Sequence, residues 1–274
     1  MPSEQQAGSG RRVDWHSIES LSSLDAAIED VNRRFDGARP WWRGHANQSW
    51  ELIPRVFRVE LPAAAPISYN ERALLSHFRD RAPTRFNGCP QADDVMGWLF
   101  LGQHYGLPTR LLDWTISPLT ALYFAVSQGH DHEDGHLYAL SPLRLNVATS
   151  GVETERFSLG EPVVAQFALD AIGDTRKVFH HPLPAAVAIS TREIDVRMLV
   201  QQSVFTLHSK ATPLIDFNRG DPGPILKRYL IPSAAKANLR NRLAHLGLRE
   251  ASLFPDLGHL ADELRKAEFH TTGV

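Results

Sequence analysis

The segment 103–126 reads Gln-His-Tyr-Gly-Leu-Pro-Thr-Arg-Leu-Leu-Asp-Trp-Thr-Ile-Ser-Pro-Leu-Thr-Ala-Leu-Tyr-Phe-Ala-Val, and its first half concentrates side chains that do chemistry. His104, Tyr105, Thr109, Arg110, Asp113 and Thr115 fall within twelve positions, a set holding an imidazole, a guanidinium, a carboxylate and three hydroxyls. The second half is almost purely apolar and can only be buried. A buried helix therefore anchors a turn that carries charged and hydroxyl groups, and rigid anchoring is what an organised site requires. A plainer account makes 109–115 a capped helix entry in which Asp113, Thr115 and Ser117 satisfy backbone N–H groups. The two are compatible, since a helix N-terminus itself attracts anions.

A second place to expect chemistry is Arg43-Gly44, directly after Trp41-Trp42. An arginine at a strand end beside an aromatic wall can fork two hydrogen bonds onto a phosphate or carboxylate, and a neighbouring glycine admits a ligand close to the backbone. The alternative is an internal ion pair, with Asp113 the obvious partner. Further along, Gln201-Gln202-Ser203-Val204-Phe205 lies in a β-prone run, where consecutive side chains face opposite sides. One carboxamide then points inward and needs partners, either a ligand or an internal network.

Other polar clusters read more plainly. His130, His132 and His136, with acidic residues between, have metal-ligand spacing but fall in a loop where such side chains are merely solvated. The stretch 227–249 holds Lys227, Arg228, Lys236, Arg240, Arg242 and Arg249 and no acidic residue. Leucine spacing puts Lys236 and Arg240 on the solvated side of a helix, a plain polar face or a track for a nucleic-acid backbone. No Walker loop, dinucleotide-binding glycine pattern, Gly-x-Ser-x-Gly elbow or Cys-x-x-Cys pair occurs. No metal site is expected.

These residues need a scaffold, and the chain is long enough to build one without staples: 274 residues, 43% hydrophobic, formal net charge −2. That charge gives no global basic excess toward nucleic acid or anionic membrane. The single cysteine, Cys89, excludes an internal disulfide and suggests a cytoplasmic protein. The polar start lacks the apolar core of a signal peptide, and no run reaches the roughly 18 apolar residues of a membrane span.

Periodicity predicts a helix over 18–35, a strand at 41–45 and an extended segment at 50–57. A Ser68–Glu71 capping box opens the next helix, Asp93 or Asp94 caps another, and Ser117-Pro118 starts the apolar one. Strand-like runs follow at 136–140, 163–167, 186–190, 197–201, 203–207, 214–217 and 225–231. Two helices close the chain, one on Leu239, Leu243 and Leu246 and one on Leu257, Leu260, Ala261 and Leu264. Helices first and strands later predict an α+β class with mostly antiparallel sheets or a sandwich. The expected division is a disordered start (1–13), a single domain (14–268) and a tail (269–274).

The chain resembles the FRG-domain family, whose Phe-Arg-Gly motif reads Trp42-Arg43-Gly44 here. Family-like stretches lie at 42–57, 103–125, 197–208 and 246–264. His45 stands where the family commonly has glutamine, and Ser203 where glycine often follows the glutamine pair. An Arg-Gly strand, a central Thr/Ser segment and a late polar residue also resemble the three-part signature of ADP-ribosyltransferases. That resemblance implies an ADP-ribosyltransferase-like fold and NAD as co-substrate, without a metal. Arg43 would bind pyrophosphate or ribose, Gly44 the nicotinamide amide, Thr115 the pocket wall, and Gln202 the third position. His45, His104, Tyr105 and Arg110 would complete the cofactor contacts. A glutamine cannot act as a base, so Asp113 or His104 would have to activate the acceptor. The expected function is an ADP-ribosyltransferase-like toxin or phage-defence effector acting on nucleic acid or protein, with an antitoxin or other protein as a partner. The alternative is a non-enzymatic nucleic-acid- or protein-binding module working through the 227–249 face.

Overall fold

The computed structural model describes residues 17–58, 69–127, 129–217 and 225–267. The expected disordered start, the tail and Ser68 lie outside them.

Among the described residues six strands form one antiparallel sheet: β1 (Trp41–His45), β2 (Leu111–Thr115), β3 (Gly135–Leu140), β4 (Ala186–Ile189), β5 (Ser203–His208) and β6 (Leu226–Ile231), in the order β4-β5-β2-β1-β3-β6. The expected α+β class with an antiparallel sheet is therefore present, as a single sheet. Helices α1 (Leu21–Arg34), α2 (Glu71–Arg81), α3 (Val95–His104) and α4 (Pro118–Ala125) belong to the first half. They are followed by α5 (Pro142–Ser150), α6 (Pro162–Ala171), α7 (Val196–Val200), α8 (Ser233–His245), α9 (Glu250–Leu253) and α10 (Leu257–Ala267).

Helix starts follow their caps. Asp94 accepts from Gly97 N to open α3, and Ser117 accepts from Thr120 N to open α4 with Pro118 in its first turn. At α2 the cap is Asn70, which accepts from Ala73 N. Glu71 does not complete a box there; it turns to Arg110.

Several strand-like runs prove helical. The run 163–167 lies in α6, started by Pro162, and 197–201 is α7 and its C-cap, started by Asp195, whose side chain accepts from Met198 N. The run 214–217 is a 3₁₀ turn, and 50–57 bends into another at Arg55–Phe57. Conversely, 111–115 is not a helix entry but a central strand. Its Leu111, Leu112 and Trp114 are almost wholly buried because the sheet is covered on both faces.

One face of the sheet carries a single cluster, including Trp41, Leu112, Trp114, Tyr138, Leu140 and Val204. The opposite face is divided. Leu111, Phe205 and Leu207 pack with α3 and α6, while Trp42, Leu137, Ala139 and Tyr229 pack with α1, α4 and α8. The division runs between β2 and β1. There the ladder is also thinnest, with only Trp42 opposite Thr115, against five registered pairs between β1 and β3. At Gly44 a Cβ would sit 1.9 Å from the Ala121 carbonyl oxygen, so α4 presses directly on the β1 backbone.

Candidate functional site

A cleft of about 340 Å³ opens at the split in the sheet, within the range of small-ligand sites. Its walls come from segments far apart in sequence: Trp42, Arg43, Gly44 and His45 on β1; Asp113, Trp114 and Thr115 on β2; Arg197 and Gln201 from α7; and Ser203 at the start of β5. Trp50, Arg58, Gln103, Phe124 and Ser127 complete much of the rest.

Arg43 stands where the β1–β2 ladder stops. Its Nη1 donates to the Asp113 carbonyl at 2.5 Å and lies 3.9 Å from the Asp113 carboxylate. Its Nε donates to His45 Nε2 at 2.9 Å. Nη2 has no hydrogen bond among the described residues, so half of the guanidinium fork is left for a ligand. Burial pushes its pKa down to about 10, with the Asp113 charge opposing, which leaves it cationic at neutral pH.

His45 is buried, and its pKa is pushed down to about 2 by burial and by the neighbouring Arg43 charge. It is therefore neutral. Nε2 accepts from Arg43, so the proton is on Nδ1, which donates to the Trp50 carbonyl at 3.2 Å. A glutamine at this position would make the same pair of contacts, accepting with oxygen and donating with nitrogen.

On the facing strand, Asp113 is half-exposed, and its Oδ2 accepts from Gln103 Nε2 at 2.7 Å. Thr115 is buried, and its hydroxyl is already engaged. Oγ1 donates to the Gln201 carbonyl at 2.7 Å and accepts from Ser117 N at 3.0 Å. It ties the end of β2 to the turn after α7 and to the α4 cap.

The late glutamine in the cleft is Gln201, not Gln202. Because 197–201 is helical, the pair does not alternate across a strand. Gln202 sits in a left-handed turn (φ 49°), accepts from Ile116 N through its carbonyl, and lines a separate depression beside Trp41 and Ile116. Gln201 Nε2 donates to the Leu253 carbonyl at 2.9 Å, fixing the carboxamide at the cleft wall.

Three other expected contacts lie elsewhere. Arg110 is buried in an ion pair with Glu71 (Nη2 to Oε2 2.7 Å) and donates through Nη1 to the Phe167 carbonyl, joining α2, β2 and α6. His104 Nε2 meets Asp195 Oδ2 at 2.6 Å beside a small adjoining cavity of about 40 Å³; burial lowers its pKa, with Asp195 opposing. Tyr105 is largely exposed, edge-on to His104 and Phe86.

The supposed basic face is also different. Lys236 is wholly buried, its Nζ donating to the carbonyls of Ala46 (2.5 Å) and His130 (2.7 Å), and Arg240 holds the Val126 carbonyl and Asp131. The leucine spacing misplaced Lys236 because its stem packs inward under Gly135, while its ammonium caps two loop carbonyls. Among the described residues no group of three His, Cys, Asp or Glu is placed to hold a metal, and no helix is long and apolar enough to cross a membrane.

Sequence reasoning did not single out Arg58, Arg197, Gln103 or Trp50. Arg58 donates twice to the Ile53 carbonyl, and Arg197 lies over the Phe254 ring at 4.5 Å. Each of the four lay within or beside a family-like stretch, and that was the available signal. Together with Arg43, the two arginines give the cleft three cations against one carboxylate, Asp113, among the described residues. Such a lining favours an anionic ligand with more than one charge.

The FRG-domain family model matches residues 38–134. The chain carries an FRG domain. The matched region supplies β1, α3 and β2, hence Arg43, Gln103 and Asp113, while Arg197, Gln201 and Ser203 come to the FRG cleft from beyond it. No curated protein and no solved structure matches the chain.

Proposed function

We propose that this FRG protein binds NAD in the split-sheet cleft and cleaves its nicotinamide–ribose bond, as an ADP-ribosyltransferase-like enzyme. The observation that carries the reading is convergence. An Arg-Gly strand, the neighbouring Thr-bearing strand and a late glutamine at the end of α7, ordered along the chain as in the three-part signature, line one cavity.

The residues suit the ligand. Arg43, with Arg58 and Arg197 near it, neutralises a pyrophosphate. Trp50 and Phe124 offer aromatic surface to a base. Thr115 holds β2 against the α7–β5 turn, and Gln201 offers its Oε1 to ribose. Gly44 serves the site through its helix contact, which lets α4 close one side. An acceptor of nucleic acid or protein, in a toxin or phage-defence setting, extends this reading. The 227–249 alternative loses Lys236 and Arg240, which are spent on internal carbonyls and Asp131.

The test is release of nicotinamide from NAD by purified protein, followed by chromatography. Wild type should release it, and Arg43→Ala should lose at least tenfold in kcat/KM. An Arg43→Ala protein that is folded and equally active would contradict the proposal.

A further inference from the structure

Glycosyl transfer to an acceptor needs a group that takes the acceptor's proton, and the late glutamine cannot supply it. Among the described cleft-lining residues, Asp113 is the only carboxylate. We propose that Asp113 is the catalytic base of this site, a step that rests on the NAD reading above.

Its setting is that of a held base. Thr109 Oγ1 accepts from Leu111 N at 3.2 Å, so its own proton goes to Gln103 Oε1 at 2.6 Å. That contact fixes the amide orientation and turns Gln103 Nε2 toward Asp113 Oδ2 at 2.7 Å. Oδ1 has no hydrogen bond among the described residues and remains free to accept a proton. The side chain is about half exposed (51%), so a nucleophile can reach it, and Arg43 Nη1 lies 3.9 Å from Oδ2, placing the base beside the anion anchor. His104, the other available base, does not line this cleft; its Nε2 is held by Asp195 next to the smaller cavity. A base, an orienting residue and a buried hydroxyl behind it make the geometric pattern of an activated nucleophile site.

With water as acceptor the step balances as follows. The water oxygen bonds to C1′ of the nicotinamide ribose as the C1′–N1 bond breaks. The electron pair of that bond returns to the pyridinium ring, and neutral nicotinamide leaves. The water proton passes to Asp113 Oδ1 and then to solvent, giving ADP-ribose. A macromolecular O–H or N–H would replace water without changing the role of the carboxylate.

The experiment measures nicotinamide release from NAD by wild type, Asp113→Asn and Asp113→Ala across pH, with thermal melts to confirm folding. Asparagine keeps an oxygen for Gln103 but cannot take the proton, so kcat should fall about 10²- to 10⁴-fold while KM for NAD stays within about threefold. The acid limb of the wild-type profile should vanish in this variant, and added formate should restore part of the rate to Asp113→Ala. An Asp113→Asn protein with wild-type rate and an unchanged acid limb, or no formate rescue, would overturn the role of Asp113 while leaving the NAD reading intact. A folded wild type that releases no nicotinamide would overturn the NAD reading, and this inference with it.

Discussion

Arg43 performs two tasks at once: it continues the interrupted contact between β1 and β2 through the Asp113 carbonyl, and it leaves one nitrogen for a ligand. His45 sets its angle, so the two should be tested as a unit. His45→Gln reproduces both contacts and should keep NAD turnover within about threefold. His45→Ala leaves Arg43 Nε and the Trp50 carbonyl without partners, which costs about 1–3 kcal/mol of stability and should lower turnover. Paired melts and nicotinamide assays check both outcomes, and equal behaviour of the two variants would count against the account. At this scale the sequence was legible where residue type constrains chemistry. Arg43, Asp113 and Thr115 do line the cleft. It misled where burial decides, because nothing local tells that Arg110 will find Glu71, 39 residues earlier, or that Lys236 will cap Ala46.

Elements decide which side chains arrive together. Gly44→Ala places a carbon 1.9 Å from the Ala121 oxygen and 2.6 Å from Ala125 N, backbone atoms that cannot yield without moving α4. The substitution should destabilise by about 3 kcal/mol, read as a lowered midpoint in a denaturant titration. An unchanged midpoint would mean that the α4–β1 contact is looser than described. The turn after α7 makes a separate prediction. Gln201→Ala should reduce turnover, whereas Gln202→Ala should leave it within about twofold, since Gln202 faces another depression. The reverse pattern would restore Gln202 as the late site residue. Elements with strong end signals, such as α3 and α4, were readable from Asp94 and Ser117-Pro118. Short apolar runs were not. The stretches 163–167 and 197–201 carry β-prone residues, but periodicity cannot separate a strand from a buried helix over five positions. Here a Pro at a first turn and an Asp cap outweighed propensity. Strand β2 was missed for a related reason: apart from Asp113 it is buried on both faces, so it shows no alternation.

The whole molecule keeps several histidines neutral inside the sheet. Burial pushes His136 down to about 4, with Arg228 adding to it, and His208 down to about 3, with Arg43 adding; His45 lies near 2. In the unfolded chain these groups protonate below about 6.5, so between that value and about 4 the unfolded state binds more protons. Stability should fall as pH falls through this window, by up to about 1.4 kcal/mol per pH unit for each histidine, and should be flat from these groups above pH 7. Thermal melts from pH 8 to 4.5 check the sign, and His208→Gln should reduce the slope. A melting temperature that rises on acidification would contradict the buried neutral histidines.

The cleft itself is a property of the whole sheet, made by two halves that share one face and part on the other. Calorimetric titration with ADP-ribose tests its central role most directly, because it needs no acceptor and no chemistry. Wild type should bind, with an affinity that weakens as salt rises, and Arg43→Gln should bind at least tenfold more weakly at a temperature where its melt shows it folded. Absence of binding to the folded wild type, or equal affinity in Arg43→Gln, would contradict a dinucleotide site built on this arginine.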